Sequence, residues 1–128
     1  GVGLRPHAKT HKCPHMALRQ IETGALGICC AKVSEAEVMA AAGAANILIT
    51  SPVVTKEKIG RIIALAARTP GLQLVVDNER AATDLAAAAA AAGLTMAVLI
   101  DLDSGSGRTG VAMGAPALAL AQAVAKMK

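Results

Sequence analysis

Two lysines, two histidines and an arginine fall within nine residues near the start of this 128-residue chain: Leu4-Arg5-Pro6-His7-Ala8-Lys9-Thr10-His11-Lys12. A lysine amine condenses with a carbonyl, and imidazoles beside it move protons at neutral pH. In an extended chain Arg5, His7, Lys9 and His11 point to one side, while Leu4, Pro6 and Ala8 point to the other. A polar face of this kind is out of place in an ordinary core and fits the mouth of a barrel. A partly desolvated lysine near other cations is also the more nucleophilic one. The alternative is a solvated basic loop ahead of the helix that Pro14 begins, and spacing alone leaves the two readings open.

The same stretch offers a metal reading, because His7, His11, Cys13 and His15 are four potential ligands within nine residues. Their spacing does not follow the common zinc patterns, and Pro14 stiffens the backbone between two of them. No metal ligand is therefore assigned within the chain. A second polar cluster runs Asp101-Leu102-Asp103-Ser104-Gly105-Ser106-Gly107-Arg108-Thr109-Gly110. Gly105, Gly107 and Gly110 match G-x-G-x-x-G, but a dinucleotide site needs a helix to open within that turn, and here Pro116 starts one several residues later. What remains is a glycine-rich loop whose Arg108 could lie over an anionic or aromatic ligand.

The elements that must position these groups alternate along the chain. Strands are expected at Leu26 to Cys30, Asn46 to Thr50, Leu72 to Val76 and Thr95 to Leu102, near-continuously apolar as parallel strands covered on both faces are, with a first strand counted at about Val2 to His7. Pro14 opens a helix that ends before Gly24. Ser34, with Glu37 at capping-box spacing, opens the next, which stops at Gly43. Thr55 caps a third that runs to about Arg68, and Asn78 caps a fourth that includes the seven alanines Ala86 to Ala92 and ends at Gly93. Pro116 begins the last. The order βαβαβαβαβα predicts an α/β domain with a parallel sheet, taken as one domain over residues 1–128. Two architectures fit: an open doubly wound sheet, or about five βα units of a partial (β/α)8 barrel, whose whole takes ~250 residues. Either puts the site at strand C-terminal ends, where Lys9, His11, Lys32, Ser51, Asp77, Asp103 and Arg108 fall.

Composition limits the alternatives. The chain is 54% hydrophobic with a formal charge of +4, the basic residues are scattered, and there is no Phe, Tyr or Trp to stack on bases, so nucleic acid is not an expected partner. Leu, Ile, Val and Met must fill the core alone. The alanine-rich uncharged run Leu85 to Ile100 is broken by Gly93 and falls short of the ~20 residues a membrane span needs. Three cysteines, two of them adjacent at Cys29 and Cys30, suggest reduced thiols and a cytoplasmic setting. Starting at Gly1, almost on its richest motif, the chain reads as an excerpt of a larger protein.

Arg5 to Lys12 resembles the cofactor-lysine strand of the D-threonine aldolase/D-serine dehydratase family, pyridoxal-phosphate enzymes on an alanine-racemase-type barrel. Cys29-Cys30-Ala31-Lys32-Val33-Ser34-Glu35-Ala36-Glu37 is similar to that family's next strand and helix. Asp103 to Gly110 is similar to the loop whose arginine approaches the cofactor ring. The likeness implies that Lys9, not Lys12, bonds pyridoxal 5'-phosphate, and that Lys9 and Arg108 are catalytic. The expected cofactor-binding set is Lys9, His7, Asp77, Asp103 and Arg108.

By the same resemblance the activity is a lyase reaction on a D-3-hydroxy amino acid, of D-threonine aldolase type, giving glycine and acetaldehyde from D-threonine. D-Serine dehydration is the near alternative; a non-catalytic cofactor-binding protein and an inactive half-barrel are the others. A divalent metal (Mn, Mg or Zn) is implied, held by ligands outside this chain, in family parts that include a C-terminal β domain. The full-length protein is expected to be a homodimer with no membrane partner. The 128 residues by themselves are expected to self-associate and to be inactive.

Overall fold

The computed structural model describes residues 1–127. A four-stranded parallel sheet holds β1 (Ile28–Cys30), β2 (Ile47–Ile49), β3 (Gln73–Val76) and β4 (Ala97–Ile100), in the order β1-β2-β3-β4. The helices are α1 (Pro14–Glu22), α2 (Val33–Ala41), α3 (Lys56–Ala66), α4 (Glu79–Ala91) and α5 (Ala115–Ala125). After β4, the short strands β5 (Leu102–Asp103) and β6 (Val111–Ala112) pair with each other. Each new strand of the large sheet is added on the same side, and each helix touches the next, so the helices form one layer on one face. A doubly wound sheet reverses its strand order and carries helices on both faces. The observed order is that of a partial (β/α)8 barrel, and the open-sheet alternative falls.

Register explains which face packs. Ile28, Ile47, Ile49 and Leu74 lie within the helix-side core, as does Cys30, while Cys29, Leu48 and Gln73 alternate onto the other face and stay half-buried. From the helix layer, Met39 of α2 and Ile59, Ile62 and Leu65 of α3 meet the sheet. Ile62 is fully buried. Aliphatic side chains do fill this core, and each fully buried one contributes roughly 1.5–3 kcal/mol. On α4 the buried positions Ala81, Leu85 and Ala89 recur every four residues, so one face of the helix turns inward.

Three expectations need correction. The first strand does not form as a full strand. Leu4 O accepts from Leu26 N at 2.8 Å, Pro6 O accepts from Cys29 N at 2.7 Å, and His7 makes an isolated parallel bridge to Cys29. Pro6 has no N–H to return a bond, which cuts the ladder there. The chain then curls into a 3-10 turn over Ala8–Thr10. Helix α2 starts at Val33 with Lys32 as N-cap, so Ser34 lies inside it and no capping box forms. Glu35 instead accepts from Ala31 N at 2.8 Å, and burial of Val33 sets the start. The last expected strand, Thr95 to Leu102, divides at Asp101 into β4 and β5. Thr55 and Asn78 do cap α3 and α4, through Lys58 N at 3.4 Å and Ala81 N at 2.8 Å.

Candidate active site at the sheet's C-terminal mouth

Lys32, Ser51 and Asp77 follow the C-terminal ends of β1, β2 and β3, but the polar residues singled out in the sequence do not form one connected cluster. Arg5 and His7 keep the expected alternation and share the sheet face away from the helices. Arg5 Nη1 donates to Gln73 Oε1 at 2.7 Å, reaching past β1 and β2 to β3. Lys9 and His11 leave that face, because the 3-10 turn ends the extended chain at His7. Lys9 is exposed on the turn. His11 is half-buried, with Nδ1 accepting from Cys13 N at 3.1 Å and Nε2 buried.

His7 is the best-connected group beside Lys9. Its Nδ1 accepts from Lys9 N at 3.2 Å, and its Nε2 lies 3.0 Å from Thr50 Oγ1 at the end of β2. The Thr50 hydroxyl also lies 3.2 Å from Cys30 O. Thr10 Oγ1 closes the turn from the other side by donating to His7 O at 3.2 Å, and Ala8 anchors it in the core. Burial lowers the His7 pKa, the Lys9 charge lowers it further, and Glu35 opposes both. Sequence reasoning missed Thr50, which lies 43 residues away with no motif to mark it.

Arg108 stands at the other edge of the sheet, in the loop between β5 and β6. Asp103 Oδ1 accepts from Gly105 N at 2.9 Å and Gly107 N at 3.1 Å, and these amides, Gly107 first, hold its carboxyl below the usual range. Asp77, after β3, accepts from Asn78 Nδ2 at 2.8 Å and from Gly110 N at 3.4 Å. Both carboxylates therefore fasten the arginine loop. The three glycines are explained here: Gly105, Gly107 and Gly110 have φ of +110°, +60° and +97°, and a Cβ on Gly110 would collide with the Leu102–Asp103 backbone. The glycine pattern serves this tight loop, with no helix opening inside it. Arg108 is exposed and makes no ion pair among the described residues.

Lys32 and Ser51 line a separate hollow of about 350 Å³ between the starts of α2 and α3, with Lys58 and Arg61. Arg61 is committed to Glu37, through Nε at 2.9 Å and Nη2 at 2.5 Å. An apolar groove between α4, β4 and α5 lies at the opposite, N-terminal end of β4. Among the described residues no three His, Cys, Asp or Glu gather to hold a metal.

The whole chain, residues 1–128, matches the family described as "Alanine racemase, N-terminal domain". The chain belongs to that family. The alanine racemase N-terminal domain assignment agrees with the resemblance carried by Arg5 to Lys12. A D-threonine aldolase from Arthrobacter sp. is 46% identical over 87 residues, 68% of this chain and 23% of that protein. The crystal structure of D-threonine aldolase from Filomicrobium marinum superposes with a TM-score of 0.96 at 48% identity, covering 99% of this chain and 34% of that one. D-threo-3-hydroxyaspartate dehydratase from Delftia sp. HT23 superposes with a TM-score of 0.81 at 34% identity, over 99% and 33%. The chain thus spans about a quarter to a third of the length of these relatives.

Proposed function

We propose that this chain is the lysine-bearing part of a pyridoxal-phosphate-dependent lyase acting on D-3-hydroxy amino acids, with D-threonine aldolase the leading activity. One observation carries the reading. Lys9, in the motif that resembles the family's cofactor-lysine strand, presents an exposed amine on a turn held by His7, Thr10 and buried Ala8. A primary amine held at a strand end suits an aldehyde cofactor. When bound, pyridoxal phosphate supplies an electron-poor ring that takes up the electrons released as a bond to the substrate Cα breaks.

The chain's own residues have distinct parts. Lys9 would hold the aldehyde cofactor through its amine, and that amine when free would be a base placed to hold a proton. Arg108, a guanidinium with no carboxylate partner among the described residues, offers a planar cation to an anionic or aromatic group. Asp77 and Asp103, expected in the cofactor-binding set, also fasten the Arg108 loop. His7 acts through the Lys9 turn. The ligands of the divalent metal lie outside the described residues, and a homodimer is the proposed assembly of the whole protein.

A dehydratase is the second reading, supported by the likeness to the D-threo-3-hydroxyaspartate enzyme. Loading the whole protein with pyridoxal phosphate, reducing with borohydride and mapping the labelled peptide tests the assignment. Label on Lys9 is expected; label on Lys12 with Lys9 free overturns it. Incubation with D-threonine then separates the two activities: glycine and acetaldehyde mark the aldolase, and ammonia with an oxo acid marks the dehydratase.

A further inference from the structure

The hydrogen bonds around His7 fix its protonation. Nδ1 accepts from Lys9 N, so in a neutral ring the proton must sit on Nε2. Nε2–H then donates to Thr50 Oγ1, which leaves the single Thr50 hydroxyl proton for Cys30 O. Every donor in this series meets an acceptor, and only one tautomer allows it. A second proton, on Nδ1, would face the Lys9 N–H donor to donor. The imidazolium therefore cannot keep the bond that caps the Lys9 turn.

Histidine takes the place of the usual cap residues here. Nδ1 stands at the same number of bonds from Cα as the side-chain oxygen of Asn, the usual acceptor for the amide at this position. Asn caps at any pH, whereas His caps only while neutral. His11 repeats the geometry one step on, with Nδ1 accepting from Cys13 N. The charged and titratable groups around the His7 ring are Lys9 on its own turn, Glu35 on α2, and Cys29 on β1, whose backbone pairs with His7. Arg5, on the same sheet face, is held by Gln73.

We propose that His7 is a positioning residue and a proton-sensitive catch: as the neutral Nε2–H tautomer it holds the turn that presents Lys9, and its protonation releases that turn. The functional meaning rests on Lys9 being the cofactor lysine; the catch itself is a property of the free protein. Burial and the Lys9 charge hold the His7 pKa below the ordinary 6.5. Above that value the ring is neutral, folded or unfolded, and the catch is fully set. As pH falls below it the unfolded chain takes the proton first, and the stabilisation is lost as pH passes through the lower folded-state value.

The test uses the whole protein without cofactor. Long-range proton–nitrogen spectra at pH 7.5 are expected to show a pyridine-like Nδ1 and a pyrrole-like Nε2 for His7. Amide exchange at single-residue resolution, corrected for intrinsic rates and followed from pH 7.5 down through the His7 titration seen in the same spectra, is expected to show Lys9 protection falling about fivefold, the size of a lost cap. His7→Asn keeps the cap without the titration, so its Lys9 protection should not change with pH. His7→Gln reaches toward Thr50 but cannot cap, so protection should be low at both pH values. An Nδ1–H tautomer, pH-independent Lys9 protection in the unaltered protein, or His7→Asn retaining the wild-type pH response each overturns the catch. Failure of the lysine assignment registers separately, in the borohydride map.

Discussion

Asn78 connects fold stability to the arginine loop, and two substitutions divide its roles. Its Oδ1 accepts from Ala81 N at 2.8 Å and caps α4, while its Nδ2 donates to Asp77 Oδ1 at 2.8 Å. Asp77 in turn accepts from Gly110 N. Asn78→Ala removes both bonds. Loss of an N-cap costs about 1 kcal/mol, and the exposed bond to Asp77 adds little because water replaces it. With a urea slope of ~2 kcal/mol/M, the unfolding midpoint should fall by about 0.5 M. Asn78→Asp keeps a cap acceptor of equal rank and sets a carboxylate at the positive end of the α4 dipole. That variant should hold its midpoint within about 0.2 M of the parent. It also replaces the donor to Asp77 with a like charge, so the Gly105 to Gly110 amides should exchange faster. The assay is urea denaturation followed by circular dichroism, paired with amide exchange of the loop. Equal destabilisation by Ala and Asp would refute the cap argument, and unchanged loop exchange in Asn78→Asp would refute the link through Asp77.

Other outcomes follow from the same geometry. Ile62 is fully buried between α3 and the sheet, so Ile62→Ala should cost about 2–5 kcal/mol of unfolding free energy, read by denaturation. Cys30, its pKa pushed up to about 12 by burial with added repulsion from Glu35 and Cys29, should resist a thiol reagent at pH 8 in the native protein and react at once in denaturant. Because the unfolded thiol ionises near its ordinary value, this site should subtract stability as pH rises above about 9. Gly110→Ala should lower stability by about 1–2 kcal/mol from its left-handed backbone alone, and more from the collision with β5, read as a fall in the thermal midpoint. Arg108→Lys keeps the charge and loses the planar fork, so turnover of the loaded enzyme should drop roughly tenfold or more while the unfolding midpoint stays put.

Much of the fold was legible where a local rule and burial agree. Thr55 and Asn78 cap because a short polar acceptor precedes an amphipathic run, and the apolar strands between helices could only pair in parallel. Ser34 misled because a cap residue stood directly after a buried valine, and Val33 fixed the helix start instead. The alternation Arg5-His7-Lys9-His11 predicted a shared face for all four residues, and held only to His7, where Pro6 breaks the ladder and the chain curls. Lys9 could be named from its motif. Its support could not, because Thr50 comes from the end of another strand, and only the register of β1 against β2 brings the two together. Asp77 and Asp103 were found by their position after strands, but their partners are backbone amides, which leave no trace in residue types.

The same-side strand order also bears on the route by which the chain folds. The ladders join Ile28 to Ile47, Leu48 to Gln73 and Gln73 to Ala97, each closing a loop of roughly twenty to twenty-five residues. Loop closure therefore costs nearly the same entropy at every step, and each βα unit can dock as soon as it leaves the ribosome. The Arg5–Gln73 bond is different. It joins residues 68 apart and needs three neighbouring elements already in place. It is a late reporter of assembly: an experiment that followed the Arg5 guanidinium protons, which Gln73 Oε1 accepts, would time the moment when the lysine-bearing end and the middle of the sheet first share one structure.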